Sequence, residues 1–517
     1  MIRLEGLSAV LGGQPVLDQV SLDLAPGSIT GLVGESGSGK SMTALAIMGL
    51  LPPGTRATGR VMLDRRNLLD LPEPEMCRIR GRRIGMIFQE PMTALNPLMP
   101  IGDQVAEALR LHGGLDRTAA LALARERLDR VGLPAPRFPL TLYPHELSGG
   151  QRQRVAIAMA IALRPGLLIA DEPTTALDVT TQARILDLLK TLAREDGMAL
   201  LLITHDLAVV AGMADRVAVM QGGRIVESGP AEAVFRQRRH PYTRQLIAAS
   251  GYRPARNPRP VPPPLLEVRE AVRDYRLPQG GLRALDRVSL TVGRGESVGL
   301  VGESGCGKST LARVILGLDP LQAGQIRLDG QDVTAGRRMP RSLRARMQVV
   351  FQDPFGSFDP RWRVERLLAE PFHLTGRPPD WRDRVGAALE EVGLQPTDAR
   401  RFIHEFSGGQ RQRLAIARAL IIRPALIVLD EAVSALDVRV RAQVLDLLAR
   451  LQADHGLSYL FISHDLSVVR GMADRVLVMQ AGRIVEEGPP EQVIGAPRHP
   501  QTQALVAAMP VIPAEWV

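Results

Sequence analysis

Lysine is rare in this sequence. Of the 64 lysine and arginine residues in the 517-residue chain, only Lys40, Lys190 and Lys308 are lysines. Two of them lie in related octapeptides, GESGSGKS at 34–41 and GESGCGKS at 302–309. A loop that wraps around phosphate needs a compact ammonium group at this position, because the wide, planar guanidinium of arginine does not fit the same space. The two lysines therefore indicate two nucleoside-triphosphate sites.

Cysteine, aromatic residues and long apolar runs are also scarce. The two cysteines, Cys77 and Cys306, lie far apart, which excludes a disulfide framework and fits a reducing compartment. Aromatic residues make up only 3% and the arginines occur in both halves, so we expect no nucleic-acid partner despite the net charge of +9. The sequence has no signal-peptide pattern and no uncharged apolar run of about 18 residues, so any membrane channel would come from another chain.

The sequence repeats itself once. The segments that begin at Val20, Phe88, Leu147 and Thr204 recur in the same order at Val288, Phe351, Phe406 and Ser463. A period of about half the chain is too long for a solenoid and predicts two homologous domains, at 1–250 and 265–517. The segment between them, GYRPARNPRPVPPP at 251–264, is rich in proline and predicts a semi-rigid linker. Such a short tether favours pairing of the two domains within one molecule.

The hydrophobic pattern predicts an α/β fold for each domain. Apolar, β-branched runs such as SITGLVG and MALLLITHD end at polar loops and alternate with helical segments, which favours a mostly parallel sheet with helices around it. Alternating strands precede each glycine-rich octapeptide. A helix-rich insert is predicted from roughly residue 90 to residue 145.

The two octapeptides have the form of P-loops. Their glycines let successive backbone N–H groups point at phosphate oxygens, and the helix that follows adds its positive N-terminal dipole. Ser41 and Ser309 are expected to bind Mg²⁺. The predicted phosphate-binding residues are Gly34, Ser36, Gly37, Ser38, Gly39, Lys40 and Ser41 in the first loop, and Gly302, Ser304, Gly305, Cys306, Gly307, Lys308, Ser309 and Thr310 in the second.

Two apolar strands end in a pair of carboxylates, in LLIADE and LIVLDE. The first carboxylate of each pair, Asp171 or Asp430, is expected to hold Mg²⁺. The second, Glu172 or Glu431, can orient an attacking water molecule or accept its proton. Downstream of a P-loop, this pattern predicts hydrolysis of a nucleoside triphosphate at both sites.

The motif LSGGQ, its counterpart FSGGQ, the P-loops and the paired glutamines and histidines resemble those of the ATP-binding-cassette (ABC) ATPases, over almost the whole chain. The resemblance implies two tandem RecA-like P-loop domains, each with an N-terminal antiparallel β-subdomain and a helical subdomain that carries the signature. It also implies that each signature binds the γ-phosphate of an ATP held by the other half, with Asp178 and Asp437 at the seam. The signature residues are Ser148, Gly149, Gly150 and Gln151, and Ser407, Gly408, Gly409 and Gln410.

The same resemblance assigns roles to further polar residues. Gln89 and Gln352 would sense Mg²⁺ and lead to a transmembrane partner, and His205 and His464 would contact the γ-phosphate. Tyr275 takes the place of the aromatic residue that stacks on adenine, whereas the first half offers only Val10 or Leu11, which predicts unequal affinities. For Cys306 two interpretations remain, a small residue that fits the loop or a redox-sensitive thiol.

Three segments point to one branch of the family. EPMTALNPLMPIGDQVAEAL, DPFGSFDPRWRVERLLAEPF and RQRRHPYTRQLIAA are similar to the oligopeptide, dipeptide and nickel importer ATPases, and the second copy, PRHPQTQALVAA, has Gln501 in place of tyrosine. The resemblance implies a peripheral subunit on the cytoplasmic face of the cell membrane that drives two permeases fed by a solute-binding protein. The alternatives are a twin-cassette ATPase that acts on ribosomes or DNA, and an accessory ATPase of phosphonate breakdown. The short linker and the lack of zinc-binding cysteines disfavour the former.

Overall fold

Each half of the chain folds into a small antiparallel sheet beside a larger, mainly parallel sheet. This computed structural model describes residues 2–89, 94–175, 177–254, 263–277, 280–434 and 436–516. Within these ranges, no helix combines the length and the apolar character that crossing a membrane requires.

The first half contains ten strands and nine α-helices among its described residues. Its strands are β1 (Ile2–Leu11), β2 (Gln14–Leu24), β3 (Ile29–Val33), β4 (Arg56–Leu63), β5 (Arg66–Asn67), β6 (Ile84–Ile87), β7 (Leu167–Asp171), β8 (Ala199–Thr204), β9 (Arg216–Gln221) and β10 (Arg224–Pro230). Its helices are α1 (Lys40–Met48), α2 (Glu73–Ile79), α3 (Ile101–Gly113), α4 (Arg117–Arg130), α5 (Gly149–Ala160), α6 (Val179–Glu195), α7 (Leu207–Met213), α8 (Ala231–Gln237) and α9 (Pro241–Ser250).

The second half repeats this order with shorter helices before its signature. Its strands are β11 (Pro264–Leu277), β12 (Gly280–Gly293), β13 (Ser297–Val301), β14 (Ala323–Leu328), β15 (Gln331–Asp332), β16 (Met347–Val350), β17 (Leu426–Asp430), β18 (Ser458–Ile462), β19 (Arg475–Gln480) and β20 (Arg483–Gly488). Its helices in the described ranges are α10 (Lys308–Ile315), α11 (Arg341–Ala345), α12 (Val364–Leu368), α13 (Phe372–Thr375), α14 (Trp381–Glu391), α15 (Gly408–Leu420), α16 (Val438–His455), α17 (Leu466–Met472), α18 (Pro490–Val493) and α19 (Pro500–Ala507).

The large sheets place the motifs at one edge. The strand orders are β10-β9-β3-β8-β7-β6 and β16-β17-β18-β13-β19-β20, and neighbouring strands run parallel except at the pairs β9–β10 and β19–β20. Strands β3 and β8 are buried along their whole length, as expected when helices cover both faces. The P-loops, the Asp-Glu pairs and the histidines follow the carboxyl ends of adjacent strands and therefore meet at the same edge, as ligand sites do in such sheets.

The smaller sheets confirm the predicted N-terminal strands. Their orders are β2-β1-β4-β5 and β12-β11-β14-β15, and the strand pairs recorded in them are antiparallel. The helix-rich insert is also present, with α3 and α4 packed on each other and against α5. Residues 90–93 of the segment EPMTALNP and residues 255–262 of the predicted linker lie outside the described residues. The predicted domain limits therefore stay a prediction.

The last described residues of the second half pack on the first half. Ile512 and Trp516 contact the first half's hydrophobic core, and the indole of Trp516 stacks on Phe235 of α8 with ring centroids 5.9 Å apart. The guanidinium of Arg238 donates to the backbone oxygen of Trp516 at 2.9 Å. In the other direction, the hydroxyl of Tyr252 in the first half donates to the carboxylate of Asp446 on α16. The two halves therefore contact each other through both C-terminal segments.

Candidate active sites

Each P-loop curls around its own lysine. The Nζ atom of Lys40 donates to the carbonyl oxygens of Gly34 and Glu35, at 2.8 Å each. Lys40 as a whole is only 6% exposed. Burial lowers the pKa of Lys40, while the carboxylates of Glu172 and Asp171 oppose this shift. Lys308 makes the equivalent bonds to Gly302 and Glu303 at 2.8 Å. Both ammonium groups are thus held at the base of the loop, beside the helix N-terminus.

The glycines leave space above the loop. Gly39 has a φ of 104°, and a Cβ added there would lie 2.8 Å from Met220 Cε, so only glycine fits. Gly37 has a φ of 77°, but a Cβ there would meet no described atom within 4 Å. Among the described residues, the buried hydroxyl of Ser38 also has no hydrogen-bond partner. The first loop therefore forms an open cradle that has room for a phosphate and a polar hydroxyl group available to bind it. The corresponding glycines of the second loop, Gly307 and Gly305, have φ values of 112° and 79°.

The aspartates at the ends of β7 and β17 are suited to a cation. Burial raises the pKa of Asp171, and a hydrogen bond from the hydroxyl of Ser41 partly offsets the rise. Its Oδ1 atom is buried and has no hydrogen-bond partner in the described part of the chain. Burial and the neighbouring Glu431 likewise raise the pKa of Asp430. A buried carboxylate oxygen without a partner, next to a serine hydroxyl, fits the oxygen ligands that Mg²⁺ prefers.

Glu172 is held by three polar neighbours. Its backbone has a φ of 47°, a left-handed conformation that non-glycine residues rarely adopt and that often occurs at functional sites. Thr175 and Gln89 donate to its Oε2 atom at 3.0 and 3.1 Å, and Nδ1 of His205 lies 3.0 Å from Oε1. Burial alone would raise the pKa of Glu172, but the bond from His205 and the charge of Lys40 help to lower it. The carboxylate is therefore ionised and oriented.

Glu431 has a similar but less extensive set of contacts. Its φ is 50°, and Nδ1 of His464 lies 3.2 Å from its Oε1 atom. Burial alone would raise its pKa, but the bond and charge of His464 together with the charge of Lys308 lower the pKa overall. Ser434, at the position of Thr175, donates to the backbone oxygen of Glu431 at 2.8 Å rather than to the carboxylate. The two glutamates are thus held differently.

Both signature motifs begin a helix. Ser148 accepts a bond from the backbone N–H of Gln151 at 3.4 Å, and the side chain of Gln151 accepts from the N–H of Ser148 at 2.8 Å. Ser407 and Gln410 form the same capping box at 3.4 and 3.0 Å. Gly149, Gly150, Gly408 and Gly409 form the first turns of α5 and α15, whose free N–H groups suit an anion. The pairing of each signature with the opposite P-loop stays a prediction.

The halves meet where the residues after the Asp-Glu pairs reach the opposite P-loop. Asp178 accepts from Thr180 at 2.7 Å and from the backbone N–H of Ser304 in the second P-loop. The same Thr180 hydroxyl lies 2.9 Å from Glu303 Oε1, so its single proton is shared between the two carboxylates. A cavity of ≈ 730 Å³ at this seam is lined by Ser36, Gln89, Glu172, His205, Gln352, Asp437 and His464, among other residues. Five of the six predicted catalytic residues therefore line one space between the halves, and Glu431 does not line it.

Two predicted residues have surroundings that the sequence did not indicate. The hydroxyl of Tyr275 donates to Asp319 Oδ2 at 2.8 Å, and the guanidinium of Arg273 lies 4.7 Å from its ring centroid. Its role in adenine binding stays a prediction. Burial raises the pKa of the Cys306 thiol, opposite to the fall that a helix N-terminus would favour. This favours the interpretation of Cys306 as a small loop residue.

The sequence did not indicate that the HPYT segment touches a P-loop. His240 caps α9 by accepting from the N–H of Tyr242 at 3.2 Å, and Pro241 is the first residue of the helix. The carboxylate of Glu227 accepts from the N–H of Arg239 at 2.9 Å and fixes the turn before it. Tyr242 is 2% exposed, and its oxygen accepts from the N–H of Glu35 at 3.1 Å. No local pattern could reveal this contact, because it joins positions 35 and 242.

Comparison with known proteins places the chain in a family. The family description for ABC transporters matches it twice, at residues 17–175 and 285–434. These stretches include both P-loops and both Asp-Glu pairs, and together they span more than half of the chain. The chain belongs to the ABC transporter family. The predicted α/β cassettes with ATPase activity are thereby confirmed, and ATP is their nucleotide.

The branch within the ABC family is confirmed as well. A second description, for the C-terminal region of oligopeptide/dipeptide transporters, matches this ABC protein at residues 226–260 and 485–517. The first stretch contains HPYT and the second contains HPQT, the segments on which the finer resemblance rests. Each cassette is therefore followed by the C-terminal region that characterises the peptide-type importers.

Similar proteins span nearly the whole of this ABC protein. It is 48% identical over 514 residues to "Peptidoglycan transport ATP-binding protein YejF" of Agrobacterium fabrum, covering 95% of this chain and 92% of that protein. It is 46% identical over 535 residues to "Glutathione import ATP-binding protein GsiA" of Escherichia coli, covering 95% and 86%. Among solved structures, cbiO1 from Clostridium perfringens, part of the ABC transporter complex cbiONQ, is 29% identical, with a TM-score of 0.41 and coverage of 45% of this chain and 92% of that chain.

Proposed function

We propose that this protein is the ATP-hydrolysing subunit of an importer and that it drives a peptide-like solute, or a nickel complex, through partner membrane permeases. The observation that carries the proposal is that each ABC cassette is followed by the C-terminal region of the peptide-type importers. The cavity between the halves, lined by Glu172, His205 and His464, supports it. The relatives named for peptidoglycan transport and glutathione import support a peptide-like solute.

Each ATP would bind between the halves. In the first site, Lys40 and the N–H groups of its loop hold the phosphates, and the signature at 407–410 closes over the γ-phosphate. In the second site, Lys308 and the signature at 148–151 do the same. Asp178 already binds the second P-loop across the seam, which supports this head-to-tail arrangement.

The site residues position Mg²⁺ and water. Ser41 and Asp171, with Gln89, would hold the ion in the first site, and Ser309, Asp430 and Gln352 in the second. The bound ion neutralises charge on the β- and γ-phosphates. The carboxylate of Glu172 or Glu431 orients the attacking water and takes its proton, while His205 or His464 holds that carboxylate and reaches toward the γ-phosphate. Hydrolysis then depends largely on positioning and charge stabilisation.

Exposed aromatic residues beside Gln89 and Gln352 suit a permease contact. Phe88 is 43% exposed and Phe351 is 40% exposed, although each directly precedes a site glutamine. Contiguous patches of exposed apolar side chains mark protein contact sites, and we assign Phe88 and Phe351 to such patches. Two permeases, fed by a solute-binding protein, would bind here. The protein would then lie at the cytoplasmic face of the cell membrane as a peripheral subunit.

The experiment is affinity purification of the tagged chain from native membranes, followed by mass spectrometry. We expect two polytopic membrane proteins to co-purify with the wild type and to be lost from the variant Phe88→Ser/Phe351→Ser. Leu282→Ser is the control, because Leu282 is 51% exposed but lies on β12, in the small antiparallel sheet. Ribosomal proteins or nucleic acid retained without any permease would contradict the proposal and favour the ribosome- or DNA-acting alternative.

A further inference from the structure

Tyr242 connects the C-terminal segment of the first half to the first P-loop. It lies in the first turn of α9, and its side chain is buried. Its phenol oxygen accepts a hydrogen bond from the backbone N–H of Glu35 at 3.1 Å. Burial raises the pKa of Tyr242, so the phenol is neutral at physiological pH. A neutral hydroxyl group therefore contacts the loop that would hold the phosphates.

Glu35 is fixed at three points. Besides the bond from its N–H to Tyr242, its carbonyl oxygen accepts from Lys40 Nζ at 2.8 Å. Its carboxylate forms an ion pair with Arg439 of the second half, with Nη1 and Oε1 2.9 Å apart. One residue thus joins the C-terminal segment, the phosphate-binding lysine and the opposite half. A shift of Tyr242 would change the position of Glu35 and hence that of the lysine.

The second site is built differently at the two equivalent positions. Gln501 replaces the tyrosine, and its Oε1 atom accepts from Gln480 Nε2 at 2.9 Å, at the end of β19 rather than on a P-loop. Thr180 stands where the first site has Arg439, and Glu303 there contacts a neutral hydroxyl, whose proton is shared with Asp178, instead of forming an ion pair. The first P-loop therefore contacts Tyr242 and Arg439, whereas at the equivalent positions of the second half Gln501 is directed away from the P-loop and Thr180 offers a neutral hydroxyl.

We propose that Tyr242 is a positioning residue for the first ATP site. Through Glu35, it makes the nucleotide affinity of that site depend on the C-terminal segment, whereas the affinity of the second site does not depend on that segment. The proposal rests on the proposed function in one respect, namely that the loops of Lys40 and Lys308 bind ATP. It goes further by assigning a role to the tyrosine of the HPYT segment. It also makes the two phosphate-binding loops differ in how the rest of the protein supports them.

The test separates the two sites and removes one hydroxyl group. Lys308→Ala leaves only the first site able to bind, and Lys40→Ala leaves only the second. Tyr242→Phe is then introduced into both single-site proteins, and the affinity for a fluorescent ATP analogue is measured by titration. Loss of one neutral hydrogen bond predicts about three- to ten-fold weaker binding at the first site and no change at the second.

Two further variants make the result specific. Tyr242→Gln copies the residue of the second half and should weaken the first site at least as much, because it also removes the ring. Tyr459→Phe is the matched control, since it removes a buried tyrosine hydroxyl that donates to Leu448 O at 3.0 Å. Tyr459 lies near the amino end of β18, whereas the motifs follow the carboxyl ends of the strands. It should leave both affinities unchanged.

The possible outcomes distinguish the two claims. If neither single-site parent binds the analogue, the proposed function fails before Tyr242 is tested. If the parents bind and Tyr242→Phe leaves the first site unchanged, the positioning role is wrong. Equal weakening of both sites would also contradict it, because a general loss of packing would affect both. Weakening confined to the first site, with unchanged thermal stability, supports it.

Discussion

Replacing Gly37 by alanine should weaken ATP binding at the first site at least about ten-fold, and it should cost no more stability than the same change at a matched glycine outside the loop. The new methyl group would meet no described protein atom within 4 Å, so it would project into the open cradle of the loop. Gly27 provides the matched control, because it has a φ of 69°, close to the 77° of Gly37, and an equally open surrounding. Gly27 lies in the turn between β2 and β3, away from the cradle.

The expected stability changes follow from the backbone. Alanine at a left-handed position costs about 1–2 kcal/mol, so Gly37→Ala and Gly27→Ala should lower the melting temperature of the first half similarly, by about 2–4 °C for each kcal/mol. Gly39→Ala should cost more, because its Cβ would also lie 2.8 Å from Met220 Cε and 3.0 Å from Val16 O. Steric exclusion of phosphate by the Gly37→Ala methyl should weaken ATP binding at least about ten-fold, or 1.4 kcal/mol.

The assay combines thermal unfolding with ATP titration, both in the Lys308→Ala background so that only the first loop reports. Gly37→Ala and Gly27→Ala should melt alike, but only Gly37→Ala should lose affinity. If Gly37→Ala binds ATP as tightly as Gly27→Ala, the open space above the loop is not the phosphate site. If Gly27→Ala loses affinity as well, the loss comes from backbone strain and the reasoning is also refuted.

Three other predictions concern single side chains. Glu172→Gln should keep ATP binding but slow hydrolysis at the first site by about 10²- to 10⁴-fold in single-turnover phosphate release, and an unchanged rate would exclude Glu172 as the base. Burial alone would raise the pKa of Glu227, but bonds from Thr243 and from the N–H groups of His240 and Arg239 lower the pKa overall. The stabilisation of the fold by the ionised Glu227 should therefore be complete above the ordinary carboxyl pKa and disappear as the pH falls through the lowered pKa. The difference in melting temperature between wild type and Glu227→Gln should therefore vanish in acid; a constant difference would contradict this. Trp516→Ala should cost about 1–2 kcal/mol of packing against Phe235 and increase proteolysis in the 510–516 segment, whereas Val511→Ala, at a residue 67% exposed, should not.

The parts of the fold that the sequence predicts correctly depend on local patterns. The glycines and the lysine of each P-loop, the apolar strand before it and the helix after it lie within about 20 residues, so period and composition reveal them. The Asp-Glu pairs can be recognised in the same way, because each directly follows a short apolar strand. In a parallel sheet, the carboxyl ends of neighbouring strands must meet at one edge, so the sequence also places these motifs together.

The contacts between the halves could not be predicted in this way. The pairs Arg439–Glu35 and Thr180–Glu303 depend on how two folded domains approach each other, and no local pattern encodes that approach. The same is true of Trp516 on Phe235. For Cys306, the local rule of a helix N-terminus predicts a lower pKa, but the tertiary burial of the thiol dominates and raises it.

The central claim is that one chain holds two ATP sites that share one seam. The most direct test is the number of ATP molecules bound per chain by Glu172→Gln/Glu431→Gln, measured by equilibrium binding together with the mass of the complex. We expect two ATP per single chain, and one after Lys40→Ala is added. Two ATP bound only when two chains associate, or a single ATP per chain before that addition, would contradict it.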